Sequence, residues 1–161
     1  MAKHPYSEYL DGVTDLAASL EETGGRIVSL VSTWTPAQFE RTYAPGKWSA
    51  RLILIHMAHM ESIFGDRVRL GLTVPGYVVT PFEQDDWVAL DAQADARAAL
   101  AAFEGLRRIN IAFFRGLTAE QRRAPFQHPE RGAIDAGWIA GVLAGHDRHH
   151  LRHLEIIAGA A

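Results

Sequence analysis

The chain has 161 residues, 48% of them hydrophobic, and no cysteine. That is enough to bury one core without covalent staples, and it excludes disulfides, thiolate metal sites, iron–sulfur clusters and a cysteine nucleophile. A formal net charge of −3 with scattered basic residues gives no electrostatic footprint for nucleic acid, and no apolar run approaches the ~18 residues of a membrane span.

Residues 1–6 lack the apolar core of a signal peptide, so one soluble cytoplasmic domain over residues 1–161 is expected, with no membrane partner. The first long helix is expected over residues 6–31, with Leu10, Val13, Leu16, Ala17, Leu20, Ile27 and Leu30 facing inward. Gly24-Gly25 interrupts it at a cost of roughly 1 kcal/mol per glycine relative to alanine. A kink, the close approach of a neighbouring helix or ligand, and a tolerated weak point all fit that pair. Thr35-Pro36-Ala37-Gln38 is a capping box with proline at the first helical position, which marks a short helical turn. Pro45-Gly46 makes a turn, and Ser49 is a good N-cap for the next helix.

That second long helix, residues 50–72, carries Leu52, Ile53, Met60, Ile63, Phe64 and Leu70 on one face, with His56 almost at the centre of that stripe. His59 lies about 60° away, and Arg67 projects inward about 16 Å further along the axis. Residues 73–92 have no periodicity of their own, and a connection this long is usually functional or disordered. Tyr77, Phe82 and Trp87 argue against disorder; the segment is expected to pack across one end of the domain and wall a pocket. The third long helix spans residues 95–116, with Leu100, Phe103, Leu106, Arg107, Asn110, Phe113 and Phe114 near one face. A second capping box, Thr118-Ala119-Glu120-Gln121, precedes an irregular segment in which His128 reads as a surface histidine. The fourth long helix spans residues 134–157.

That last helix holds four of the eight histidines within eight positions, His146, His149, His150 and His153. Taking ~100° per residue, its apolar set Ile139, Val142, Leu143, Leu154 and Ile157 averages to a direction roughly 20° from His146. His146 and His150 flank that direction one turn apart. Two inward imidazoles at this spacing are either a buried hydrogen-bonded pair or two ligands of one metal ion.

Four long amphipathic helices with a long crossover between the second and third indicate an all-α four-helix bundle. A faint internal echo also runs through the chain: long helix, Thr-x-x-Gln turn, irregular link, long histidine-bearing helix, then the same again. If the halves are related by symmetry, the second and fourth helices lie together and His56 joins His146 and His150.

Gly46-Lys47-Trp48-Ser49, then His56 to Glu61 as His-x-x-x-x-Glu, then His146-Asp147-Arg148-His149-His150, resemble the DinB-like superfamily, which also contains bacterial thiol S-transferases. The resemblance covers nearly the whole chain. It implies a four-helix bundle, often a homodimer, with one divalent metal on three histidines that match His56, His146 and His150. One departure is His59, which stands where relatives commonly carry an acidic residue.

Three neutral ligands leave a metal with an open position, of the kind that activates a bound nucleophile or polarises a carbonyl. All-histidine ligation suits zinc or nickel first, and iron or manganese as well. The resemblance implies a metal-dependent enzyme that activates a low-molecular-weight thiol against a small-molecule electrophile. The alternatives are a metal-dependent hydrolase and a non-catalytic, stress-associated metal-binding protein. Glu61, Asp147 and His149 are candidates to orient ligands or move protons, although Glu61 lies about 140° round the helix from His56. There is no Glu-x-x-His pair for a di-iron site and no His-Glu-x-x-His motif.

Overall fold

The computed structural model describes residues 5–159; part of the N-terminal stretch read for a leader, residues 1–4, lies outside them. A 3-10 turn (Ser7–Tyr9) is followed by helices α1 (Leu16–Val31), α2 (Pro36–Phe39), α3 (Ala50–Thr73), α4 (Gln84–Leu90), α5 (Ala96–Gly116) and α6 (Ala119–Arg123). A small hairpin, β1 (Phe126–His128) and β2 (Gly132–Ile134), then leads into α7 (Ala136–Ala158).

Each long helix begins at a side chain that satisfies one of its orphaned amides. Asp15 accepts from the Ala18 amide at 3.0 Å, Ser49 from Leu52 at 3.4 Å, Asp95 from Arg97 at 2.9 Å and Asp135 from Trp138 at 2.7 Å. Both Thr-x-x-Gln capping boxes form. The first long helix is shorter than its apolar pattern suggests. Gly12 takes a left-handed φ of 74° and Asp15 caps the chain anew, so residues 6–15 become a separate segment laid against α7.

The irregular stretches also contain structure that their composition hides. The crossover includes α4, which starts after Glu83 without a side-chain cap and has Asp85 and Asp86 in its first turn. The segment after α6 pairs Phe126 with Ile134 and His128 with Gly132, the latter at φ 73°. Val78 adds a parallel bridge to Gln127, so the crossover lies along β1.

The four long helices form a bundle in which α3 packs on α5 and α7, and α1 packs on the same two. One core cluster joins Ile27 and Val31 of α1 to Ile53 and Leu54 of α3, Leu100 and Phe103 of α5, and Leu154 and Ile157 of α7. The other joins Leu20, Met60, Phe64, Ile111, Ile139 and Leu143. Ordering these residues along each helix makes α3 and α5 parallel neighbours, α1 and α7 parallel neighbours, and both remaining pairs antiparallel. Parallel adjacent helices cannot be joined by a tight turn, which is why the long crossover falls between α3 and α5. The same arrangement sets α3 directly against α7, and so His56 against His146 and His150.

Gly24 stands where Arg107 of α5 crosses α1. A Cβ there would lie 3.4 Å from both Cγ and Nη1 of Arg107, while Gly25 faces open space. Of the three readings of the glycine pair, the close approach of a neighbouring helix is the one found, and α1 is continuous through it.

Candidate metal centre

His56 sits almost two turns into α3, while His146 and His150 occupy successive turns of α7, whose i, i+4 spacing stacks them on one face. The rings converge: centroids are 4.8 Å apart for His56 and His146, 5.0 Å for His56 and His150, and 4.4 Å for His146 and His150. The Nε2 atoms of His56 and His146 face each other at 2.7 Å. One potential ligand atom from each residue lies within 4.8 Å of the others, and all three side chains are buried.

Burial decides their charge. Desolvation lowers the pKa of His56 to about 4, with His59 and His149 adding to the effect. His146 and His150 are held well below the ordinary histidine value, chiefly by burial and then by neighbouring imidazoles. At neutral pH all three are uncharged, so each ring has a lone pair to give.

These residues fit a divalent ion. Three uncharged nitrogen donors meet in a space too small and too apolar for three separate hydration shells, and at most one proton can lie between the facing Nε2 atoms. In one respect the site differs from common practice, in which an acceptor holds the distal N–H of a ligating imidazole. The Nδ1 atoms of His56, His146 and His150 are buried with no hydrogen-bond partner among the described residues. Ring orientation is therefore set by packing: Trp48 lies 4.9 Å from His56, and Tyr6 meets His146 edge-on at 5.6 Å.

His149 and His153 lie next to His150, with ring centroids 5.1 and 5.5 Å from it. His149 Nδ1 pairs with the Tyr9 hydroxyl at 2.9 Å, and His153 stacks flat on Tyr43 at 3.8 Å with an interplanar angle of 1°. His59 binds Asp91 at 2.8 Å and meets Trp87 edge-on at 5.5 Å, so the crossover packs against this side of α3. His128 belongs to β1, is partly exposed, and lies 6.5 Å from Trp138. It is not part of the three-histidine group.

Glu61 and Asp147 point away from the imidazoles into a second polar cluster. Arg107 donates to both Glu61 and Asp147, the latter through Nη1 at 2.5 Å, and also to the Leu20 carbonyl at 2.8 Å. Asn110 donates to Glu61 Oε2 at 2.9 Å, and Thr23 to Asp147 Oδ2 at 3.1 Å. Burial alone would weaken protonation of Arg107, but the two carboxylates outweigh it and keep the guanidinium charged. Burial pushes the Asp147 carboxyl up to about 6 despite Arg107. The cluster ties α1, α3, α5 and α7 together directly behind His146. Sequence reasoning placed Arg107 and Asn110 on the inward face but missed Tyr6, Tyr9, Tyr43 and Trp48 as walls of the site.

A model of the DinB superfamily matches residues 19–154, which contain all three histidines. A candidate metal-dependent hydrolase of Oceanobacillus iheyensis is 28% identical over 151 residues, spanning 92% of this chain and 83% of that relative. YfiT of Bacillus subtilis, likewise named as a candidate metal-dependent hydrolase, is 29% identical over 140 residues, spanning 84% of this chain and 78% of its own. The solved structure of YfiT, described as having an unusual four-helix bundle topology, superposes with a TM-score of 0.82 at 25% identity, over 99% of this chain and 89% of that one. A mycothiol-dependent maleylpyruvate isomerase shares the fold at 12% identity, with a TM-score of 0.73 over 93% of this chain and 60% of that one.

Proposed function

The chain belongs to the DinB superfamily, and from that premise we propose that it is a metal-dependent enzyme in which one divalent ion, held by His56, His146 and His150, activates a small nucleophile. The observation that carries this reading is the convergence of three buried imidazoles with ligand atoms within 4.8 Å of one another. When bound, such an ion supplies a Lewis acid that lowers the pKa of a nucleophile's proton or polarises a carbonyl.

The protein's own residues do the rest. His56 and the His146–His150 pair present neutral donors from two helices fixed by the Arg107 cluster. Trp48 and Tyr6 cover the rings and exclude water from their flanks. The Tyr9 hydroxyl and His149 Nδ1 share a proton at 2.9 Å beside the centre, where a general acid or base is useful. An all-histidine set suits zinc or nickel first, then iron or manganese.

Two nucleophiles fit. Water gives a hydrolase, the reading favoured by the names of the relatives that cover most of the chain. A low-molecular-weight thiol gives a transferase, favoured by the resemblance to thiol S-transferases and by a chain that has no cysteine of its own. In either case the partner is a small-molecule substrate.

Elemental analysis of untagged protein tests the centre: about one divalent ion per wild-type chain, lost in His150→Ala, is the expected result. Metal-loaded protein is then assayed with small thiols plus electrophiles in one arm and with ester and amide substrates in the other. No metal after reconstitution with zinc, nickel and manganese would overturn the reading. Metal without turnover in either arm would assign the chain a non-catalytic metal-binding role.

A further inference from the structure

Among the described residues, Arg67 is a buried cation that neither the histidine centre nor the Arg107 cluster explains. It is 7% exposed, and no carboxylate among those residues lies within ion-pair distance of it. Buried charges in folded proteins are paired, because an uncompensated ion forfeits its hydration. Arg107, also buried, illustrates the rule with two carboxylates.

Of the donors on the Arg67 guanidinium, one on Nη2 is engaged, by the Thr80 carbonyl at 2.9 Å. Nε is buried with no partner among the described residues. The guanidinium carbon lies 5.5 Å from the Phe64 ring centroid and 5.4 Å from that of Phe82, so aromatic surfaces flank it and its N–H donors supply the polarity. His128 stands nearby on β1. Arg67 is close enough to act on its charge, and the His128 Nδ1 accepts from the Glu130 amide at 3.2 Å, which places the proton of the neutral ring on Nε2. The Val79 amide donates to the Gln127 carbonyl at 2.8 Å, which holds the crossover, and Thr80 with it, against the hairpin beside this arginine.

We propose that Arg67 anchors a binding site for a small monoanionic carboxylate, about 16 Å along α3 from His56 and separate from the histidine centre. The charge balance selects the class. One buried guanidinium with no carboxylate of the described residues in ion-pair distance, walled by the Phe64 and Phe82 rings, compensates a single negative charge. The planar carboxylate also matches the guanidinium fork. The site does not depend on a metal at His56, His146 and His150.

The test is a titration of metal-free protein followed through the Arg67 Nε–Hε resonance, assigned by its loss in Arg67→Lys. Acetate is expected to move that resonance saturably, and phosphate at the same ionic strength less. Chloride is expected to leave it in place. Acetate is also expected to raise the melting temperature of wild type and of His150→Ala, but not of Arg67→Met. A resonance that stays fixed, or that drifts without saturation and alike for all three anions, would overturn the proposal and leave Arg67 as a clasp for the crossover. Equal acetate stabilisation of wild type and Arg67→Met would overturn it as well. Should Arg67→Met fail to fold, the same comparison is made with Arg67→Lys, in which the fork is lost and the charge retained.

Discussion

Arg107 holds together more of the interior than any other side chain described in this molecule, since Glu61, Asp147 and the Leu20 carbonyl all converge on it. Arg107→Met would leave two buried carboxylates without their cation, and a loss of about 3–5 kcal/mol in urea unfolding is expected. Arg123→Met, on the exposed α6, should cost under about 0.5 kcal/mol. At the candidate centre, His56→Ala, His146→Ala and His150→Ala should each abolish or severely weaken metal binding by elemental analysis, while His128→Ala keeps it. Retention of metal by His146→Ala with loss in His149→Ala would mean that the wrong face of α7 had been chosen. The three inward histidines were legible because helical periodicity alone puts them on apolar stripes. Their walls were not: Tyr9 meets His149 across 140 residues of chain, and nothing local in either segment encodes that meeting.

At the scale of elements, the N-terminal segment packs tightly on α7 beside the centre. A Cβ on Gly145 would fall 2.5 Å from Tyr6 Cβ and 2.9 Å from the Tyr6 carbonyl oxygen, which is backbone and cannot swing aside. Gly145→Ala should therefore push residues 6–9 off the helix at a cost of about 1–3 kcal/mol. Gly25→Ala faces open space on α1 and should stabilise by up to about 1 kcal/mol through helix propensity. Opposite shifts of the two melting temperatures are the check. Helix starts were readable at Ser49, Asp95 and Thr118, where a capping side chain stands just before the run. The true start of α1 at Leu16 was hidden because the apolar pattern runs on through Leu10 and Val13. The helix α4 and the hairpin were hidden because their order comes from packing against α3 and the crossover.

For the molecule as a whole, the buried imidazoles set how stability follows pH. In the metal-free chain His56 has a folded pKa of about 4 against an ordinary 6.5, and burial holds His146 and His150 well below 6.5 too. Between those values the unfolded chain binds more protons than the folded one. Stability is therefore fully present above about 6.5 and is lost as pH falls toward 4. Asp147, pushed from 3.8 up to about 6, acts in the opposite direction over part of that window, and three imidazoles outweigh it. A urea midpoint that falls between pH 7 and pH 5 is expected; one that rises would contradict the assignment of neutral histidines. Saturating metal should add about 2.7 kcal/mol at a hundredfold excess over Kd, with no gain in His150→Ala. The all-α bundle was legible from four amphipathic runs, but the placement of α3 beside α7 rested on an internal echo and a resemblance, because periodicity says which face is buried and not against which partner. His56 and His146 lie 90 residues apart in sequence. An ion held there as proposed would tie the two halves of the chain as a disulfide does, removing loop-closure freedom from the unfolded state. In a protein without cysteine, the proposed crosslink would open and close with the supply of metal.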